Sequence, residues 1–230
     1  MLGIIGAMEI EVATLIDAME ISKKETKAGM TFCCGKIEGK DVVVVKSGVG
    51  KVNAAMCTQI LIDDFDVDAV FNTGVAGSLN NDIDICDVVV STKAQQHDMD
   101  VTALGYDRGI IPEMEKSVFE ADSKLIDLAK KSAKDAGLEI NVFEGKVLSG
   151  DQFIGTEEAK NFLKKEFAGD CVEMEGAAIA HTASLNGVPF IVIRTISDKA
   201  DGGAEMDYPT FEKKAAKNSI SLMKQIIKNY

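Results

Sequence analysis

Four stretches of the chain set acidic or polar side chains where short apolar runs end. They are GAMEIE (6–11), FNTGVAGS (71–78), VEMEGAAIAH (172–181) and VIRTISDKAD (192–201). In open α/β sheets, ligands sit outside the carboxyl ends of the strands. Chain order therefore permits Glu11, Asn72, Glu173, Glu175, Arg194, Ser197 and Asp198 to meet in one acidic pocket. Glu173 and Glu175 are two apart, so an extended segment would put them on one face. Either could instead cap the alanine-rich helix expected after Gly176. Arg194 and Asp198 could simply pair with each other. Several carboxylates around one cavity suit acid–base chemistry, provided their environments separate their pKa values.

The elements that must position these groups alternate from end to end. The runs at 2–5, 42–45, 69–71, 88–90 and 190–193 are short and rich in Val and Ile, as expected for strands buried on both faces. MTFCCGKIEGKDVVVV (30–45) predicts a hairpin turning near Gly39. A helix over 122–136 starts at Asp122 or Ser123, buries Leu125, Leu128, Ala129 and Ala133, and ends at Gly137. The last helix carries a stripe of Phe211, Ala215, Ser219, Leu222 and Ile226, with Lys213, Lys217, Lys224 and Lys228 mostly off it. DKADGGAEMDYPTF (198–211) is either a lid that orders into the start of the last helix on binding or an ordinary surface loop. The pattern predicts one α/β domain over 1–230 with a mixed, mainly parallel sheet.

Composition narrows the partners. The chain of 230 residues has 37 acids against 25 lysines and arginines, a net charge of −12. That balance argues against nucleic acid and against an anionic membrane surface. No run approaches a membrane helix, and no basic, apolar leader opens the chain. The five cysteines form no CxxC pair and are expected to be reduced, mostly buried and non-catalytic, in a cytoplasmic protein.

Three motif likenesses fail. GIIGAM (3–8) lacks two glycines of a dinucleotide fingerprint, and SGVGKV (47–52) lacks the leading glycine and the magnesium-binding hydroxyl of a Walker loop. HDMD (97–100) looks metal-like, but with only His97 and His181 in the chain a hydrogen-bonded structural histidine is expected. No metal and no cofactor is expected.

Seven blocks, in order over almost the whole length, carry a specific likeness: GIIGAMEIEV (3–12), KSGVGKVNAA (46–55), NTGVAG (72–77), HDMDVTALGY (97–106), SGDQFI (149–154), VEMEGAAIAH (172–181) and RTISDKAD (194–201). Together they resemble the 5′-methylthioadenosine/S-adenosylhomocysteine nucleosidase family, within the wider nucleoside phosphorylase/hydrolase superfamily. The resemblance implies a central mixed, twisted sheet partly closed like a barrel, flanked by helices, and a homodimer. It implies hydrolysis of the N-glycosidic bond of adenine thionucleosides, releasing adenine and methylthioribose or S-ribosylhomocysteine.

Such a reaction builds positive charge on the sugar and negative charge on the departing base. By the resemblance, Asp198 is the acid at purine N7, kept protonated by burial and oriented by Ser197. Glu11 activates water, with Glu173 and Arg194 nearby, and Glu175 binds the ribose hydroxyls. Met8 and Met174 flank the sugar and alkylthio group, Phe153 stacks on adenine, and the Ile154 backbone reads its edge. Val75, Ala76 and Gly77 also border the substrate. Val75 stands where familiar members have serine, Leu104 where a phenylalanine from the second subunit closes the 5′ pocket, and Tyr208 where another aromatic lies. A phosphorylase would need cationic phosphate ligands, and the acids of the first loop, Glu9 and Glu11, suit water instead. The alternatives are a purine nucleoside phosphorylase, a nucleosidase for another adenine nucleoside such as aminofutalosine or 5′-deoxyadenosine, and a catalytically silent nucleoside-binding module.

Overall fold

The computed structural model describes residues 1–137 and 140–230. Its elements run β1 (Leu2–Gly6), α1 (Glu9–Asp17), β2 (Glu20–Lys27), β3 (Met30–Ile37), β4 (Lys40–Lys46), α2 (Lys51–Phe65), β5 (Ala69–Ser78), β6 (Val88–Gln96), β7 (Val118–Glu120), α3 (Ser123–Asp135), β8 (Val142–Ser149), α4 (Glu157–Phe167), β9 (Cys171–Glu173), α5 (Gly176–Leu185), β10 (Phe190–Asp198) and α6 (Ala204–Asn229). A short 3₁₀ turn covers Thr102–Leu104.

Every apolar run read as a strand is one, and the 30–45 hairpin is β3 and β4, antiparallel, with Phe32 opposite Val45. Asp122 caps α3 by accepting from the Lys124 and Leu125 amides, and Gly137 follows with φ +60°. On α6, Ala215, Ser219, Leu222 and Ile226 are buried while Phe211 is half-buried. Ser219 Oγ shares a 2.7 Å hydrogen bond with Thr73 Oγ1 of β5, so the one polar residue in the stripe is satisfied inside.

The sheet is mixed. β5 pairs in parallel with β1 and β10, and β1 with β4. β10 pairs antiparallel with β6, β6 parallel with β8, β8 parallel with β9, and β9 antiparallel with β5. These contacts close a five-strand ring, β5–β10–β6–β8–β9, from which β1, β4, β3 and β2 extend as an open wing. Closure explains why β5 and β10 outrun their apolar cores. Residues 72–78 and 194–198 are, apart from Val75 and Ile196, polar or small, yet they are buried, and the sheet ladder satisfies their backbone. Val/Ile-rich strands and five helices form two large apolar layers, one on either face of the sheet.

The segment 198–211 is only in small part a loop. Only residues 199–203 form a loop; from Ala204 onward the chain is α6, with Pro209 inside it. Residues 204–211 are the first turns of that long helix, and Tyr208 reaches the pocket from there.

Candidate functional site

One cavity gathers the predicted acids. It holds about 130 Å³ and opens to solvent at an apolar mouth. Glu11, Glu173, Glu175, Arg194, Ser197 and Asp198 line it, together with Met8, Val75, Ala76, Gly77, Phe153, Met174 and Tyr208. Ile154 borders an adjoining crevice shared with Phe153, Gly77 and Asp198. Leu104 does not line the cavity of its own chain; it is 75 % exposed on the 3₁₀ turn. Asn72 is buried behind the wall, where it donates to Ile5 O and accepts from Arg194.

Glu11 sits in the first turn of α1 and folds back on the turn before it. Its Oε2 accepts from the Ala7 and Met8 amides at 2.7 and 2.9 Å, and its Oε1 accepts from the Val75 amide at 3.1 Å. A carboxylate has about four acceptor directions. Three are taken by N–H groups, and Arg194 Nη1 is too far at 4.0 Å to hydrogen-bond the oxygen. One direction remains for a water. Burial pushes the Glu11 carboxyl above its usual range, against the pull of Arg194 and the three amides. A raised carboxylate is a stronger base. Gly74 makes this packing possible, since a Cβ there would come 2.2 Å from Arg194 Nη1 and 2.3 Å from Glu11 Oε1.

Glu9 behaves otherwise. It is exposed and pairs with Lys46 at 2.7 Å, outside the cavity. The first loop therefore contributes one acid to the pocket, not two.

Arg194 is the hub of the acids. Fully buried on β10, it donates to Glu173 and Asn72 and lies 3.5 Å from Glu175 Oε2. Burial works against its charge, but Glu173, Glu175 and Glu11 outweigh it and hold its pKa above the ordinary value. Arg194 is thus committed to the glutamates rather than to a simple pair with Asp198. Glu173 both caps and pairs: it accepts from the Glu175 and Gly176 amides at the start of α5 and from Ser149 and Arg194.

Glu175 accepts from the Gly50 amide at 2.9 Å, across 125 residues of sequence. Burial first, then the charge of Glu173, push its carboxyl up to about 7. The native state therefore binds this proton more tightly than the unfolded chain does. The resulting stability is fully present below the ordinary value of 4.5 and is lost as pH rises through about 7. Glu175→Gln, a mimic of the protonated form, is expected to stabilise the protein at pH ~8 by up to ~3 kcal/mol, several degrees in Tm. Thermal melts across the pH range check this: the advantage should vanish below pH ~4.5. A pH-independent difference would contradict it.

Asp198 ends β10 at a bulge. β5 and β10 stay in register to Ala76↔Ile196, and then Gly77 faces Asp198, leaving Ser197 as the extra residue. Bulges beside active sites re-aim side chains. Here the bulge puts Ser197 Oγ 2.9 Å from Asp198 Oδ2, while Asp198 Oδ1 accepts from the Ala200 amide at 2.8 Å. Gly77 allows it: a Cβ would stand 2.8 Å from Asp198 Oδ1.

The mouth is apolar. Phe153 is 54 % exposed, edge-on to Tyr208 with ring centroids 5.9 Å apart. Tyr208 donates to Glu212 Oε1 and touches Met8 Sδ. Val49, Val172 and Ala7 also line the cavity but were not anticipated, since isolated apolar residues carry no signal of their own. Ser149 and Gly50, which hold Glu173 and Glu175, lie inside quoted blocks but gave no sign of which carboxylate they would meet.

His97 is buried, yet among the described residues its Nε2 has no hydrogen-bond partner, so at that atom the expected hydrogen bond gives way to packing. Its neighbour Asp98 ties Lys51 to the Asp151 amide. Among the described residues, no group of three or more His, Cys, Asp or Glu is placed to hold a metal ion, and no helix is long and apolar enough to cross a membrane. All five cysteines are free thiols, four of them buried.

The model of the phosphorylase superfamily matches residues 1–228. A 5′-methylthioadenosine/S-adenosylhomocysteine nucleosidase of Bacillus licheniformis is 40 % identical over 228 residues, covering 99 % of this chain and 98 % of its own. The Neisseria meningitidis nucleosidase of that name, solved with methylthio-immucillin-A, superposes with a TM-score of 0.95 at 39 % identity, covering 100 % of this chain and 99 % of its own. A futalosine hydrolase of Helicobacter pylori superposes with a TM-score of 0.94 at 36 % identity, covering 100 % and 97 %. The chain belongs to the phosphorylase superfamily and, within it, to the 5′-methylthioadenosine/S-adenosylhomocysteine nucleosidases.

Proposed function

We propose that the protein hydrolyses the N-glycosidic bond of 5′-methylthioadenosine and S-adenosylhomocysteine, releasing adenine and the thioribose. One observation carries the residue roles: Glu11, Glu175 and Asp198, far apart in sequence, line a single cavity. Adenine lies against Phe153, with its edge at the Ile154 backbone and its N7 at Asp198. Asp198 protonates N7 as the bond to the sugar stretches. Glu11 uses its remaining acceptor direction to orient a water and removes its proton as the sugar cation forms. Glu175 accepts from the ribose hydroxyls, and Met8, Met174, Val75 and Tyr208 border the sugar and its 5′ substituent. Arg194 keeps Glu173 and Glu175 from repelling each other apart.

Among the described residues, the one cation lining the cavity, Arg194, is already committed to glutamates and none is left to hold inorganic phosphate, which leaves water as the nucleophile. Purified protein in phosphate-free buffer should therefore release free adenine from methylthioadenosine. A strict requirement for phosphate would instead make it a phosphorylase, and tight nucleoside binding without product would make it a binding module.

The futalosine hydrolase superposition supports a second substrate on the same machinery. Adenine release from an adenine nucleoside with a bulkier 5′ substituent, measured beside methylthioadenosine, separates the two.

The protein works as a cytoplasmic, single-domain enzyme over residues 1–230, with free thiols and an acidic surface. It works as a homodimer, in which Leu104, exposed on its own chain, closes the 5′ end of its partner's pocket. Leu104→Asp should raise KM for methylthioadenosine at least several-fold, because burying an unpaired carboxylate against an alkylthio group is unfavourable. An unchanged KM would remove Leu104 from the pocket.

A further inference from the structure

We propose that Lys160 is a positioning residue for Asp198, acting through the single peptide group that joins Lys199 to Ala200. Lys160 lies on α4, outside the cavity, and only 5 % of it is exposed. Its ammonium donates to the Lys199 carbonyl at 2.7 Å, with Asp201 Oδ2 3.8 Å away. The N–H of that same peptide group is the Ala200 amide, which donates to Asp198 Oδ1. One rigid plane thus has a cation on its oxygen and the catalytic carboxyl on its hydrogen. A charge on the carbonyl polarises the group and strengthens its N–H as a donor.

The conformation of Ala200 explains why an anchor is needed. Its φ is +52°, a left-handed backbone that a residue with a Cβ disfavours. Such backbone persists where surrounding contacts over-determine it. Relaxation to negative φ would turn the peptide and withdraw its N–H from Asp198. Ala200 is fully buried, and a Cβ on Gly77 would lie 2.9 Å from Ala200 Cβ, so the turn packs directly on the wall of the site. The Lys199 side chain leaves in another direction, to Ile83 O and Asp84, and does not substitute for Lys160. A lysine is buried at a cost in desolvation, and here its principal hydrogen bond is to the peptide that orients the proposed acid.

The test is a double-mutant cycle of Lys160→Met and Ala200→Gly, read as kcat and KM for methylthioadenosine. Lys160→Met should lower kcat about tenfold with KM changed much less, since the contacts that bind the nucleoside are untouched. Glycine has no preference against positive φ, so Ala200→Gly should recover several-fold of kcat in the Lys160→Met background and give no such gain in the wild type. If Lys160→Met does not fold, Lys160→Gln, too short to reach the carbonyl, is run through the same cycle. Near-native kcat in the lysine variant, or a strictly additive cycle, overturns the inference. It rests on Asp198 being the acid. A wild type that releases no adenine would end that assignment, whereas an active wild type with an additive cycle would end only the role of Lys160.

Discussion

Glu11→Gln is expected to lower kcat on methylthioadenosine by at least about a hundredfold, the typical loss for a general base. The substitution keeps shape and volume. One amide oxygen can still accept from backbone N–H groups, but the new NH₂ meets N–H donors on whichever side it faces, because Glu11 takes Ala7 and Met8 amides on one oxygen and Val75 on the other. The geometry is disturbed locally and the carboxylate, the proposed base, is lost entirely. Wild-type kcat/KM should fall on the acid side as Glu11 takes up a proton, and burial places that fall above the ordinary carboxylate range. In the variant that limb should disappear from whatever activity remains. Steady-state kinetics across pH decide the matter. A variant with near-native turnover, or one that keeps the same acid limb, would take the base role from Glu11.

Much of this arrangement is legible in the chain itself, for reasons that differ from residue to residue. The Val/Ile runs of β1, β4, β5, β6 and β10 are buried on both faces, so their composition alone marks them. The Asp122 cap needs only local chemistry. The four polar strand ends are visible because they fall at the carboxyl ends of strands, where open α/β sheets bind ligands, and three of them carry acids. What stays hidden depends on distant pairing. β2, EISKKETK, is almost wholly exposed and has no apolar face; it is a strand because β3 offers it an edge. β9 is three residues long and exists because ring closure gives it partners on both sides. The bulge at Ser197 follows from how β10 registers against β5, which no local pattern encodes.

Spacing was misleading at Glu9 and incomplete at Glu175. Glu9 and Glu11 share a turn, but a helix rotates residues two apart to different faces. One carboxylate therefore enters the cavity and the other meets Lys46 at the surface. Glu173 and Glu175 were expected to share a face of an extended segment. They converge by another route, through Glu173 at the end of β9 and Glu175 at the helix start, both drawn to Arg194.

Asp198→Asn should lower kcat by at least about a hundredfold while leaving KM within a few-fold. The asparagine oxygen can still accept from the Ala200 amide, while its NH₂, standing where Oδ2 was, can donate to a turned Ser197 hydroxyl and present an N–H to the purine, so the base is recognised. It cannot deliver a proton, so adenine must depart as an anion. Ser197→Ala, which removes one hydrogen bond to the carboxyl but not the acid, should cost far less, on the order of tenfold. A change of leaving group separates the two carboxylates. With a 5-alkylthio riboside of p-nitrophenol, departure needs no proton, so Asp198→Asn should recover most of its deficit. Glu11→Gln should stay impaired, because water must still be activated at the other face of the sugar. If both variants recover equally on the activated substrate, acid and base have not been told apart. If Asp198→Asn is equally slow on both substrates, its loss is one of structure and the proton goes to the purine by another path.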